Sequence, residues 1–314
     1  MALVSTIYPP EIWALESLMV LRDNLLMAGL VHRNFENEVA SKGDTVRTRK
    51  PTKLTVQDFS AQTGTNASLT GLTVANLNAT EVTVVLDKHK YTAFIVEDRD
   101  EATSIKDLRD EFIVPAIDPI SQAVDDDVMT EYQDGTDVAG NSVTIVANDA
   151  IGIAAAMDED DIITAHTQLN TNQCPPAPRS LVLGTQHEGN LLGRALFHQA
   201  NTAGTTEALR NANLGRAFGF DTFMSQNVPT GLTSDTLGNN QSFAFHKNVL
   251  ALVMRPLQQI PGGMGAISSV QTIDNIGIRM TASYEHPAKG VVMSFDVLYG
   301  LNLLDSLLGV IVAP

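Results

Sequence analysis

Seven histidines, His32, His89, His166, His187, His198, His246 and His286, are the residues best suited to hold a metal or carry a proton. A zinc-hydrolase helix needs two of them four apart, with a glutamate between as base, the H-E-x-x-H spacing. His187-Glu188 begins that pattern, but Leu191 stands where the second histidine belongs. The stretch "GTQHEG", residues 184–189, has two glycines but lacks the Gly-Lys-Ser/Thr that would cradle a nucleotide phosphate. No G-x-S-x-G elbow offers a nucleophilic serine. The single cysteine, Cys174, precedes "PPAP" with no histidine beside it, a poor setting for a thiolate.

Two acid clusters remain. "DEDD" at 158–161 lacks the D-x-[DN]-x-[DN]-G order of a calcium loop and suits a helix N-terminus, where negative charge is stabilising. "DDD" at 125–127 reads as a solvated helix face. These residues give no catalytic constellation, so the expectation is a non-enzyme with no metal and no cofactor.

Charge carries more information. The chain of 314 residues has a formal net charge of -16, yet "KGDTVRTRKPTK", residues 42–53, gathers five of the twenty Lys and Arg. If that run is a strand, Arg47 and Arg49 share one face. Nucleic-acid binding is one reading, but no aromatic is interleaved and the rest of the chain repels phosphate. The preferred reading is a contact between copies of the chain, set by Arg47, Arg49, Lys50 and Lys53. Their expected acidic partners lie in "EDRDEATSIKDLRDE": Glu97, Asp98, Asp100, Glu101, Asp107, Asp110 and Glu111.

The elements that would carry these residues follow from periodicity. "PPEIWALESLMVLRDNLLMAGL" has a proline start, helical apolar spacing and Gly29 as a C-cap. From Gly43 to Val96, two Thr- and Val-rich strands flank about twenty small polar residues, which predicts a long projecting arm. Residues 103–133 carry a helical stripe, Ile105, Leu108, Phe112, Ile113, Ile117, Ile120, Val124 and Val128. Pro115 and Pro119 predict a kink or two helices meeting there, with Asp118 as N-cap and Pro119 as first helical residue. Uninterrupted, that rod would be roughly 45 Å long. Residues 140–265 alternate strands and helices, and the tail returns to strands with a hairpin at "EHPAKG". No apolar run reaches the roughly 18 residues that cross a bilayer, and no secretory leader precedes the first helix, so cytoplasmic synthesis is expected.

That order of parts resembles the major capsid proteins of tailed bacteriophages, the fold first seen in the Hong Kong phage coat and shared with encapsulin shells. The phrases that carry the resemblance are "GDTVRTRKP", "VTVVLDKHKYTAFIVEDRDEA", "NLGRAFGFDTFMSQNVP", "SFAFHKNVLALVMRPL" and "SFDVLYGLNLLD". It implies an α+β chain with five parts. They are an N-terminal arm and docking helix (1–42), an extended β loop (43–96), a spine helix (103–133), a peripheral domain (97–139 and 266–314) and an apical domain (140–265). It also implies self-assembly through hexamers and pentamers into an icosahedral shell in the virion, assembled in the host cytoplasm.

The expected partners are a portal protein, a decoration protein and a separate scaffolding protein, since few residues precede the docking helix. DNA would be enclosed cargo without sequence-specific binding, and no membrane is involved. An encapsulin-like compartment shell is the alternative; an uncharacterised cytoplasmic enzyme and a surface adhesin are the others.

Overall fold

Pro10 opens helix α1 (Pro10–Asn24), where its missing N–H and fixed φ cost nothing. The computed structural model describes residues 10–33, 45–50, 56, 80–97, 112–134, 144–147, 157–198, 211–212, 214–228, 241–261 and 265–313. One face of α1, Trp13, Ala14, Ser17, Leu18 and Leu21, is buried. The helix does not run on to Gly29 as its spacing predicts. It ends at Asn24, and a separate turn, α2 (Met27–Leu30), contains Gly29 and closes at Val31. The break has a cause outside the local sequence, because the amides of Leu26 and Met27 both donate to the carboxylate of Asp125.

Strands β1 (Thr45–Lys50) and β2 (Thr80–Val85) pair antiparallel, Thr45 opposite Val85 and Lys50 opposite Thr80; most of the expected arm between them lies outside the described residues. The chain then turns at Leu86–Asp87 into β3 (Lys88–Glu97), which belongs to another sheet. "TEVTVVLDKHKYTAFIV" therefore holds two strands where alternation alone suggests one.

Helix α3 (Val114–Asp134) is the rod, 21 residues or about 31 Å long, entered through one wide turn at Phe112–Ile113. The expected residues 103–111 of the spine lie outside the described ones. Pro119 sits inside α3, and Asp118 is helical instead of capping it, which corrects the expectation of a boundary there. Pro119 lies in the second turn, so its missing N–H withdraws one bond near the helix start. The buried stripe Ile113, Ala116, Ile117, Ile120, Val124, Val128 and Tyr132 holds the rod in place regardless.

After β4 (Thr144–Ala147) comes α4 (Glu159–Thr171), started by a capping box in which Asp158 and Asp161 each accept the other's backbone N–H. Then follow β5 (Arg179–Leu183), α5 (Thr185–Leu192), α6 (Ala195–His198), β6 (Arg216–Ala217) and β7 (Phe220–Met224). Next are β8 (Ser242–His246), β9 (Leu250–Met254), β10 (Ala266–Ile273), β11 (Ile276–Glu285), β12 (Gly290–Leu303) and β13 (Gly309–Ala313). The predicted "EHPAKG" hairpin joins β11 to β12, with Glu285 opposite Gly290.

Two larger sheets result. The first runs β10-β11-β12-β3, with β9 also on β12. The second, mixed, runs β4-β13-β8-β5-β7-β6. Alternation along β12 sends Val291, Met293, Phe295, Val297 and Tyr299 into the core formed with α1 and α3. In the second sheet Leu181, Leu183, Ala244, Val310 and Val312 pack with α4 and α5, while Val182, Phe243, Phe245 and Ile311 join the α3 core. Tyr132 touches both Phe243 and Phe245, at ring centroid distances of 5.3 and 5.9 Å, and so ties rod to sheet.

Besides the passage from β3 through α3 to β4, the chain crosses between these sheets through short 3-10 turns at Lys247–Val249 and Ser306–Leu308. The crossings are bonded to each other, Leu304 N–H donating to the Val249 carbonyl at 2.8 Å. "FAFHKNVLALVM" thus splits between two sheets, and the last strand returns to the sheet of residues 144–246. A cut at residue 265 does not separate the sheets.

Candidate intersubunit surface

In β1 the backbone register sets Arg47 opposite Thr83 and Arg49 opposite Glu81, and Lys50 ends the strand. Of the acids expected to meet it, Glu97 is the exposed last residue of β3, opposite Gly290. Lys53, Asp98, Asp100, Glu101, Asp107, Asp110 and Glu111 lie outside the described residues, so that pairing remains a proposal.

What the structure does bring together lies around β3. Lys88 and Lys90 point to one side of β3 and reach Asp127 of α3 at 3.7 and 3.3 Å. The Tyr299 hydroxyl donates to the same carboxylate. Burial, and the Asp127 carboxylate next to it, push the Tyr299 phenol far up. His89, between the lysines, faces the other way and meets Asp296 at 3.3 Å. Arg279 holds Asp296 with two donors, at 2.9 and 3.2 Å. The edge strand is thereby fixed to rod and sheet on both faces.

These contacts correct the reading of Asp125–Asp127 as a solvated face. Only Asp126 is exposed; Asp125 is buried against backbone amides and Asp127 against lysines. The sequence shows three acids in a row, and the partners come from strands and turns far along the chain.

Exposed apolar residues mark surface that one chain leaves open. Ile12, Leu15 and Met19 lie at helical spacing on the side of α1 away from the core, Ile12 being 55% exposed. Tyr91 and Ile95 project from the free side of β3, Tyr91 at 68%. Sequence reasoning treated α1 as amphipathic and missed its second apolar face. The signal was present in "IWALESLMVL", where few positions are polar.

Of the residues singled out for chemistry, His187 and Cys174 are packed in the core. His187 is fully buried, its Nδ1 at 2.7 Å from Ser242 Oγ, and Leu191 below it is core. Cys174 is buried, and burial pushes its thiol up. Among the described residues, no group of three or more His, Cys, Asp or Glu is placed to hold a metal. No helix among them is long and apolar enough to cross a membrane.

No family model matches the chain, and no curated protein does. Solved structures do. A chain from Mycobacterium phage Che8 is 20% identical with a TM-score of 0.65, over 92% of this chain and 90% of that one. A capsid chain of the Cyanophage P-SCSP1u is 15% identical with a TM-score of 0.60, over 92% and 88%. A virus-like particle chain from Pyrococcus furiosus is 9% identical with a TM-score of 0.56, over 98% and 100%. At such identities the likeness establishes a common fold along nearly the whole of each chain.

Proposed function

We propose that this chain, which has the α+β fold of tailed-phage capsid proteins, is the major coat subunit of such a phage. Many copies would close into an icosahedral shell around packaged DNA. The observation that carries the reading is the structural likeness over 92% of the chain to phage capsid chains. The open apolar faces of α1 and β3 supply surface for neighbours. A charge of -16 keeps packaged DNA from being stripped of its counterions and bound to the wall.

In this reading the subunits group as hexamers and pentamers in the virion. The extended loop spans 43–96 and the spine begins before residue 112. A separate scaffold, a portal and a decoration protein complete the assembly in the host cytoplasm.

Light scattering of the purified chain, alone and with its scaffold, is expected to show particles of megadalton mass. A persistent monomer or a small closed oligomer under all conditions overturns the reading. The alternative is a compartment shell of the same fold without a genome; a virus-like particle chain from Pyrococcus furiosus shares the fold at 9% identity. Nuclease-resistant DNA inside particles recovered from cells decides for the phage shell, and enclosed protein decides for the compartment.

The basic run gives a sharper test. Arg47→Glu with Arg49→Glu is expected to keep the circular dichroism and melting of the parent while particle yield falls at least tenfold. An exposed pair contributes only about 0.2–1 kcal/mol, but it recurs at every contact of a shell. Reversing acids within Glu97–Glu111 should restore part of the yield. Normal shells from the double variant would show that the run does not join subunits.

A further inference from the structure

β12 changes partners toward its end. Up to Tyr299 it runs beside β3, with Tyr299 opposite Lys88, and from Tyr299 to Leu303 it pairs with β9, Asn302 opposite Ala251. Alternation divides this end by face. Leu250, Leu252, Met254, Leu301 and Leu303 enter the main core, while Ala251 and Val253 turn away from it. On that outer side they meet Val84 of β2 and Leu86, with Leu304 packed against the group. The result is a small apolar cluster, separate from the two larger cores, on which β2 lies.

Two further features complete the seat. Gly300 lets the Val85 carbonyl come so near that no Cβ would fit between them. Asn302, half-buried, donates from Nδ2 to the Thr83 carbonyl at 2.6 Å. Thr83 is the residue paired with Arg47 of β1, so the bond falls directly behind the basic run.

We propose that Asn302 is a positioning residue: it holds the β1–β2 pair at one angle on the sheet, so that Arg47, Arg49 and Lys50 are presented to a second copy of the chain in a fixed direction. That role rests on the shell reading above, in which the basic run joins subunits. Two strands alone make a marginal ribbon that needs a surface to lie on. The cluster around Val84 supplies attraction, but apolar contact has no direction and lets a ribbon swivel. A hydrogen bond does have direction. Held only at Val85, where the chain turns into β3, the pair would pivot. The bond at Thr83, about 7 Å further along the strand, is a second fixed point. Asn302 itself stands outside the core, so the bond can be removed without emptying packed space.

Pulsed electron spin resonance on the unassembled chain tests the positioning. Labels go at Thr83→Cys on β2 and Thr272→Cys on β10, both exposed, with Cys174→Ser to leave only those two sites. This background should give one narrow distance peak. Asn302→Asp keeps the shape of the side chain but turns an oxygen, not a donor, toward the Thr83 carbonyl. It should at least double the width of the peak, roughly, while melting stays with the parent and particle yield falls about tenfold. Asn302→Gln, which keeps an amide donor, should stay close to the parent in width and yield. An unchanged peak in Asn302→Asp, or a peak already broad in the background, overturns the inference. So does a broadened peak with normal particle yield. A parent chain that forms no particles counts against the shell reading instead, and the peak widths still decide whether Asn302 fixes the strand pair.

Discussion

Gly300→Val should leave little folded protein, lowering the melting temperature by about 10 °C or more where any survives. β12 passes the end of β2 so closely that a Cβ at position 300 would lie 2.1 Å from the Val85 carbonyl oxygen and 2.8 Å from its carbon. Both obstacles are backbone, so no rotamer change relieves the clash. Either the arm base or the longest strand of the sheet must shift. Overpacking of this kind costs about 3 kcal/mol or more, a large share of the roughly 5–15 kcal/mol that holds a domain folded. Gly29→Ala is the control, since a Cβ there meets nothing within 4 Å. Placed inside α2, it should be neutral or stabilise by up to about 1 kcal/mol. Equal melting of Gly300→Val and the parent would show that β12 and β2 have room to separate.

Arg179→Met is expected to cost about 1–3 kcal/mol in thermal or denaturant unfolding. The guanidinium is 2% exposed and pairs with no carboxylate among the described residues. It donates instead to the carbonyls of Cys174 at 2.6 Å and Pro175 at 2.8 Å and to Asn170 Oδ1 at 2.9 Å. Methionine fills a similar volume but leaves the buried Cys174 carbonyl without that donor, while Pro175 and Asn170 are exposed residues whose oxygens water can reach. The loop between α4 and β5 then loses its anchor, and Cys174 should react with thiol reagents markedly faster than in the parent. Arg179→Lys keeps the charge but not the fork, so its loss should be intermediate. An Arg179→Met protein that melts with the parent would mean the loop is held by packing alone.

Arg179 also shows how legibility ran out in the sequence. "RSLVLG" is plainly a buried strand, and β5 is buried throughout, its arginine included. Nothing in the neighbouring letters says that the arginine is neutralised by carbonyls of its own preceding loop. Asp158 is the opposite case. "DEDD" before an apolar helical stripe implies an N-cap, and the capping box is there because all its members are local. Strands β1 and β2 were legible as strands from Thr and Val alternation, but not their register, which joins Thr45 to Val85 and Lys50 to Thr80. The open face of α1 was written in the sequence but overlooked, since the buried stripe with charges elsewhere on the wheel already accounted for an amphipathic helix.

By itself the sequence determined what depends on short spacing. It set the helical stripes of α1 and α3, the alternating faces of β3 and β12, the cap of α4, the hairpin at His286–Lys289 and the isolation of one basic run in an acidic chain. Only the tertiary structure decided where alternating runs were cut and shared out. β8 and β9, like β12 and β13, are nearly continuous apolar text, yet each pair divides between two sheets. Alternation gives a strand two faces but does not say which sheet completes its edges. That choice is made by partners far along the chain, such as Tyr132 against Phe243 and Phe245. Asp125 is the clearest instance. Among three consecutive acids its letter is unremarkable, and only packing against Leu26 and Met27 removes it from water.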